Sequence, residues 1–265
     1  MWLRELLEKL HRGEITVDEA ERKLKLFALE EMEGIAILDL WRELRKGVPE
    51  IILGEGKPVD VLVKLVERVL KEKNSVIASR LNEEQRRALE ELTLKHGWEV
   101  RKSGRTYAIR RESRREDTGV VGVITAGTAD VEVAEEARLV AEEMGCRVLT
   151  AYDVGIAGLH RLFPKLKEMV EAGVSAIVVA AGMEGALPSL VASLVDVVVI
   201  GVPTSVGYGA GGRGKAALHS MLQSCTPGLV VVNIDNGVGA GIAAALIARE
   251  AYRKSRRLKK KRVGN

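Results

Sequence analysis

The chain has 265 residues, of which 46% are hydrophobic but only 3% aromatic, and a net charge of +4. That length supports one large domain or two modest ones, with an aliphatic core of the kind a parallel sheet buried on both faces uses. Eight cations lie between Arg253 and Arg262, so the rest of the chain is mildly acidic. With no basic patch interleaved with aromatics, a nucleic-acid partner is not expected.

Cys146 and Cys225 make no disulfide framework. The chain opens on a charged amphipathic segment rather than a secretory signal. The apolar stretch from Ala176 to Val202 is broken by Glu184, Pro188 and Asp196, so it reads as strand–helix–strand in a core and not as a membrane span. A soluble, cytoplasmic setting is the expectation.

Residues 1–116 are charge-rich and read as a small α+β domain. Thr16-Val17-Asp18-Glu19 has a capping-box pattern and predicts a helix start. Asp39 to Arg45 reads as a short helix, and Pro49 to Leu53 as a strand ending at Gly54-Glu55-Gly56-Lys57. Val59 to Lys73 has apolar residues at helical spacing, and Ser75 to Leu81 reads as a strand. Asn82 and Gln85 form a second capping box, and His96-Gly97 closes that helix. Trp98 to Arg110 alternates about Lys102-Ser103-Gly104-Arg105, which predicts a hairpin. The polar run from Arg110 to Asp117 suits a linker.

From residue 118 to 252 the texture changes to Gly, Ala and Val. Apolar runs at 120–126, 147–151, 176–181, 197–202 and 229–234 alternate with helical patterns at about 131–144, 159–172, 185–194, 213–223 and 240–256. That alternation predicts an α/β domain, a parallel sheet of five or more strands with helices on both faces. Residues 253–265 form a basic tail that reads as a frayed, solvated helix end. Ligands of such sheets bind beyond the carboxyl ends of the strands.

The loops at those ends carry the candidate residues. Gly127, Thr128 and Asp130 open a helix whose free N–H groups suit a phosphate, although a plain helix cap has the same letters. Asp153 precedes Gly155 and Gly158, and Arg161 follows, where it can meet an anion; His160 reads equally as a surface residue. Glu184, beside Gly182, is the only charge between Glu171 and Asp196, an expensive isolation unless it is paired or functional. The fourth loop, with Ser205, Gly207 and Gly209, suits a backbone cradle. The fifth run is followed by Asn233 and Asp235. Cys225, in a Ser/Thr/Pro/Gly loop before that run, is expected at the sheet's ligand edge as a nucleophile candidate. Cys146, at a strand entrance, reads as a buried small hydrophobe.

Ala180-Ala181-Gly182-Met183-Glu184-Gly185-Ala186-Leu187-Pro188-Ser189 and the run from Ser220 to Ala245 resemble the aminoimidazole ribonucleotide carboxylase superfamily. The segments Thr125–Asp130, Tyr152–Leu162, Ala181–Ser189, Pro203–Ala210 and Ser224–Gly241, with Pro49–Lys57, are most similar to its LarB branch, which serves nickel-pincer cofactor biosynthesis. The resemblance covers nearly the whole chain, weakly before residue 120 and strongly after it.

It implies carboxylation of the pyridinium ring of nicotinic acid adenine dinucleotide at C5 by CO2, and cleavage of the phosphoanhydride. The products would be pyridinium-3,5-biscarboxylic acid mononucleotide and AMP. Cys225 would be the covalent nucleophile and Glu184 the base, with Asp235 in reserve. Gly127, Thr128, Asp130, Asp153, Arg161, Gly182, Ser205, Gly207, Gly209, Asn233 and Asp235 would hold the substrate. No tightly bound cofactor and no metal site are expected, Mg2+ being considered only for the phosphoanhydride step, and the superfamily implies a homo-oligomer, an octamer. Two departures stand out. Purine carboxylases carry His before the Leu-Pro where this chain has Ala186, and Ser in the first loop where it has Ala129, with Thr128 as a substitute. A purine-pathway carboxylase or mutase, and a non-catalytic nucleotide-binding protein, are the alternatives.

Overall fold

The computed structural model describes residues 2–30, 47–112 and 118–263. The chain forms two compact units, Met1–Glu50 and Ile51–Asn265. In the first unit, α1 (Trp2–His11) packs on α2 (Val17–Glu30). The reciprocal cap is present: Glu19 N–H donates to the Thr16 hydroxyl at 3.2 Å, and Thr16 N–H donates to the Glu19 carboxylate at 2.9 Å. The helix expected at 39–45 lies outside the described residues.

The second unit contains two sheets. The smaller has the order β1-β2-β4-β3, from β1 (Glu50–Leu53), β2 (Ser75–Ser79), β3 (Glu99–Ser103) and β4 (Thr106–Arg110). Helices α3 (Val59–Glu72) and α4 (Glu83–His96) accompany it. Asn82 and Gln85 cap α4 reciprocally, and Gly97, at φ 66°, ends it in the left-handed conformation that a side chain disfavours.

The larger sheet is wholly parallel, with the order β6-β5-β7-β8-β9. Its strands are β5 (Val120–Thr125), β6 (Arg147–Ala151), β7 (Ala176–Ala181), β8 (Val198–Pro203) and β9 (Leu229–Val231). One face is covered by α6 (Leu162–Glu171), α7 (Leu187–Leu194) and α8 (Lys215–Leu222). Their Leu162, Leu187, Val191 and Met221 pack with Ile124, Ile177 and Val199 of the sheet in an aliphatic cluster. Each such side chain, fully buried, contributes roughly 1.5–3 kcal/mol. On the other face lie α5 (Val131–Glu143) and α9 (Gly237–Val263). These two helices meet closely, because a Cβ at Gly237 would lie 2.3 Å from the Val133 carbonyl and one at Gly241 2.5 Å from that of Ala137.

Two elements differ from expectation. The strand expected at 229–234 ends at Val231, and the chain turns at Asp235, which takes φ 55°. The helix expected at about 240–256 runs from Gly237 to Val263, and the basic tail forms its end.

Helix α5 is enclosed from both sides. Side chains alternate across a strand, so Arg101, Ser103, Thr106 and Arg110 share one face of the small sheet. That face docks on glutamates of α5. Ser103 donates to Glu135, Thr106 to Glu136 at 3.0 Å, and Arg110 Nε to Glu143 at 2.5 Å. Burial pushes the Glu143 carboxyl above the ordinary range, against the attraction of Arg110.

Candidate active site

The strand order reverses at β5: the chain steps to β6 on one side and then to β7 on the other. At such a switch point two loops diverge and leave a crevice. A cavity of about 370 Å³ sits there, beyond the carboxyl ends of β5, β6 and β7. That volume falls in the range of small-molecule sites.

The floor comes from Ala126 to Asp130. Asp130 is buried, its carboxylate accepting from Gly127 N–H at 2.8 Å and from the Thr204 hydroxyl at 2.6 Å. Thr204, fully buried after β8, thus fixes the first loop from two strands away. Thr125, at the end of β5, plays a similar part: its hydroxyl accepts from Asp153 N–H at 2.9 Å.

The second loop holds Asp153 at φ 57°. Its carboxylate receives Arg161 Nη1 at 2.5 Å. A Cβ at Gly158 would lie 2.9 Å from that guanidinium, so the glycine is what lets Arg161 fold back. His160 is exposed.

The third loop forms the wall. A Cβ at Gly182 would stand 2.3 Å from the Val206 carbonyl, which also accepts from Met183 N–H at 3.1 Å. The backbones of the third and fourth loops therefore touch. Glu184 lines the cavity, exposed, and its carboxylate has no hydrogen-bond or ion-pair partner among the described residues. Ala186 lines it too.

Of the residues singled out in the sequence, Gly127, Thr128, Asp130, Asp153, Gly182 and Glu184 line one cavity, with Arg161 joined through Asp153. Ser205, Gly207, Gly209, Asn233 and Asp235 lie outside that lining, on the loops after β8 and β9. Asp235 takes Ser205 N–H on its carboxylate at 2.7 Å. Asn233 accepts from Ile234 N–H at 2.9 Å. Thr125 and Thr204 were not singled out; the only signal was a threonine closing an apolar run.

Cys225 is exposed, but it is not at the edge expected for it. It precedes β9, and Gly228 accepts from Val199 N–H near the start of β8. In a parallel sheet the chain leaves each strand at the carboxyl edge and the helix returns it to the amino edge, so the loop after α8 lies at the amino edge. The six residues of β8, at about 3.3 Å each, put roughly 20 Å between the two edges. Cys225 and Glu184 of one chain thus face opposite ends of the sheet. Cys146 is buried, as expected, 3.5 Å from the Thr118 hydroxyl. Among the described residues no three His, Cys, Asp or Glu side chains are grouped to hold a metal ion. No described helix is long and apolar enough to cross a membrane.

Comparison with known proteins matches the AIR carboxylase family over residues 120–264 and a LarB/PurE-like N-terminal domain over residues 29–111. The uncharacterized protein MJ0165 of Methanocaldococcus jannaschii is 45% identical over 251 residues, spanning 93% of this chain and 97% of that one. The N5-carboxyaminoimidazole ribonucleotide mutase of Thermotoga maritima is 33% identical over 139 residues, 50% of this chain and 76% of the mutase. A probable mutase of the same name from Methanothermobacter thermautotrophicus is 34% identical over 132 residues, 48% of this chain and 37% of that protein.

Proposed function

The chain belongs to the AIR carboxylase family, and from that premise we propose that it carboxylates the pyridinium ring of nicotinic acid adenine dinucleotide and cleaves its phosphoanhydride. One observation carries the reading. The switch-point cavity joins a glycine cradle to a single unpartnered carboxylate, Glu184, while Ala186 occupies the place where the purine enzymes carry His. The LarB/PurE-like N-terminal domain, matched over residues 29–111, is compatible with this reading.

The chemistry follows from the electron-poor ring, whose C5 cannot attack CO2. Addition of the Cys225 thiolate at C4 sends an electron pair to the ring nitrogen and leaves C5 as an enamine carbon. That carbon forms a bond to CO2. Glu184 takes the C5 proton, the C4–S bond breaks, and aromaticity returns with the thiolate as leaving group. Water attacks the phosphoanhydride and releases AMP. CO2 is the co-substrate, and these steps need no tightly bound cofactor.

This reading has a structural condition. Cys225 lies at the amino edge of its own sheet, so the thiol that serves a cavity must come from a second copy of the chain. Exposed Leu222 and Val230, on the elements flanking Cys225, support such a homo-oligomeric contact.

The test is mass spectrometry after incubation with the dinucleotide and isotopically labelled bicarbonate. A mononucleotide carrying one labelled carboxylate, together with AMP, is expected. Carboxylation of aminoimidazole ribonucleotide instead would assign the chain to the purine reaction.

A further inference from the structure

Five non-glycine residues among those described have positive φ: Arg80 (53°), Asp153 (57°), Met183 (48°), Arg213 (59°) and Asp235 (55°). A side chain makes that conformation unfavourable, and such residues persist where the surroundings hold them, often at functional sites. Four of the five lie on loops at the carboxyl edge of the parallel sheet. The fifth, Arg80, belongs to the small sheet, in the turn from β2 to α4.

Arg80 nevertheless reaches that edge. Its Nη2 donates to the Asp235 carbonyl at 3.1 Å, and its Nη1 pairs with Glu55 at 3.3 Å. The turn itself is clamped, since Arg105 Nε donates to the Leu81 carbonyl at 3.1 Å and Leu81 N–H to the Arg105 carbonyl at 2.9 Å. Beyond Asp235 the connection continues. Asp235 N–H donates to the Pro203 carbonyl at 2.9 Å, and its carboxylate takes Ser205 N–H. Ser205 stands between Thr204, which holds Asp130, and Val206, which forms the cavity wall and takes Met183 N–H.

We propose that Arg80 is a positioning residue for the cavity, through which the small sheet sets the Asp235 and Ser205 loops and hence the wall beside Glu184. A glycine would hold the same turn without strain, but only a planar, fixed-charge guanidinium spans from that turn to Asp235 and Glu55 together. The small sheet then has a part in the reaction without touching substrate.

Two measurements test this on the full-length protein. Hydrogen exchange of the peptide spanning 203–210 needs no assumption about substrate. Turnover of nicotinic acid adenine dinucleotide rests on the proposed function, and a wild-type protein without turnover would fail that reading while leaving exchange to decide this one. Arg80→Gly keeps the backbone conformation and removes the guanidinium; Arg80→Lys keeps a donor; Glu55→Gln removes only the exposed partner. For Arg80→Gly we expect unchanged melting, faster exchange confined to the loops after β8 and β9, and kcat lower by about ten- to a hundredfold with KM little altered. Arg80→Lys restores part of both, and Glu55→Gln stays near wild type. Wild-type exchange in Arg80→Gly overturns the proposal. So does a lowered melting point with exchange rising across the whole small sheet, which would make Arg80 a docking contact. Should Arg80→Gly not fold, Arg80→Lys with wild-type exchange and kcat also overturns it.

Discussion

Gly182→Ala tests the site's construction most directly. The new Cβ would stand 2.3 Å from the Val206 carbonyl oxygen and 2.7 Å from the Thr204 hydroxyl. Neither atom is the free end of a flexible chain: one is backbone and the other is bonded to Asp130 at 2.6 Å. Ordinary contact requires the Val206 backbone to retreat by about 1 Å. Overpacking of this kind costs about 1–3 kcal/mol. Loss of the bond from Met183 N–H to Val206 adds about 1 kcal/mol. Each kcal/mol lowers the melting midpoint of a domain this size by roughly 2–4 °C, so a drop of about 5–15 °C is expected. The cavity wall moves with Val206, so calorimetric titration should also show weaker binding of nicotinic acid mononucleotide. A variant that melts and binds like wild type would mean that the third and fourth loops do not touch as described.

Gly127→Ala should behave in the opposite way. Its Cβ would meet only the Asp130 carboxylate, at 3.5 Å, so stability should change by no more than about 0.5 kcal/mol while nucleotide binding weakens; a loss of stability as large as that of Gly182→Ala would contradict a ligand-facing role. Glu184→Gln should slow carboxylation by about 10²–10⁴-fold with substrate still bound, and unchanged turnover would move the base elsewhere. Cys225→Ala should abolish carboxylation while Cys146→Ala retains it, and equal activity in the two would remove the covalent step. Glu136, buried, accepts from Thr106 and from Val238 N–H at 3.2 Å, yet burial outweighs those bonds and raises its carboxyl above 4.5. With the folded-state value above the unfolded one, stability from this group is complete below pH 4.5 and declines as pH rises through the folded-state value. Melting curves of Glu136→Gln should therefore gain on wild type as pH rises from 4.5, and parallel curves would refute the sign.

Local signals were the legible ones. The capping box of Asn82 and Gln85 involves residues three apart, and both halves are present. The alternation after residue 118 specified five parallel strands because strands buried on both faces need continuous apolar runs. The first three strand-end loops converge on one cavity, which the carboxyl-edge rule anticipates. What failed depended on partners distant in the chain. Gly237 and Gly241 carried no signal of their role, which is to admit α5 close to α9. Cys225 was placed by its composition, whereas its edge is decided by its position before β9 rather than after it. Arg80 offered no signal, since its bond to Asp235 spans 155 residues.

The facing surfaces of α5 and the small sheet have a consequence for how the protein is assembled from parts. A module attached through leucines leaves a sticky scar when removed. Here the helix presents Glu135, Glu136, Glu142 and Glu143 to Arg101, Ser103, Thr106 and Arg110. Stripped of the small sheet, those glutamates would meet water, where carboxylates are well solvated. The small sheet is therefore joined to α5 by matched charges and hydrogen bonds.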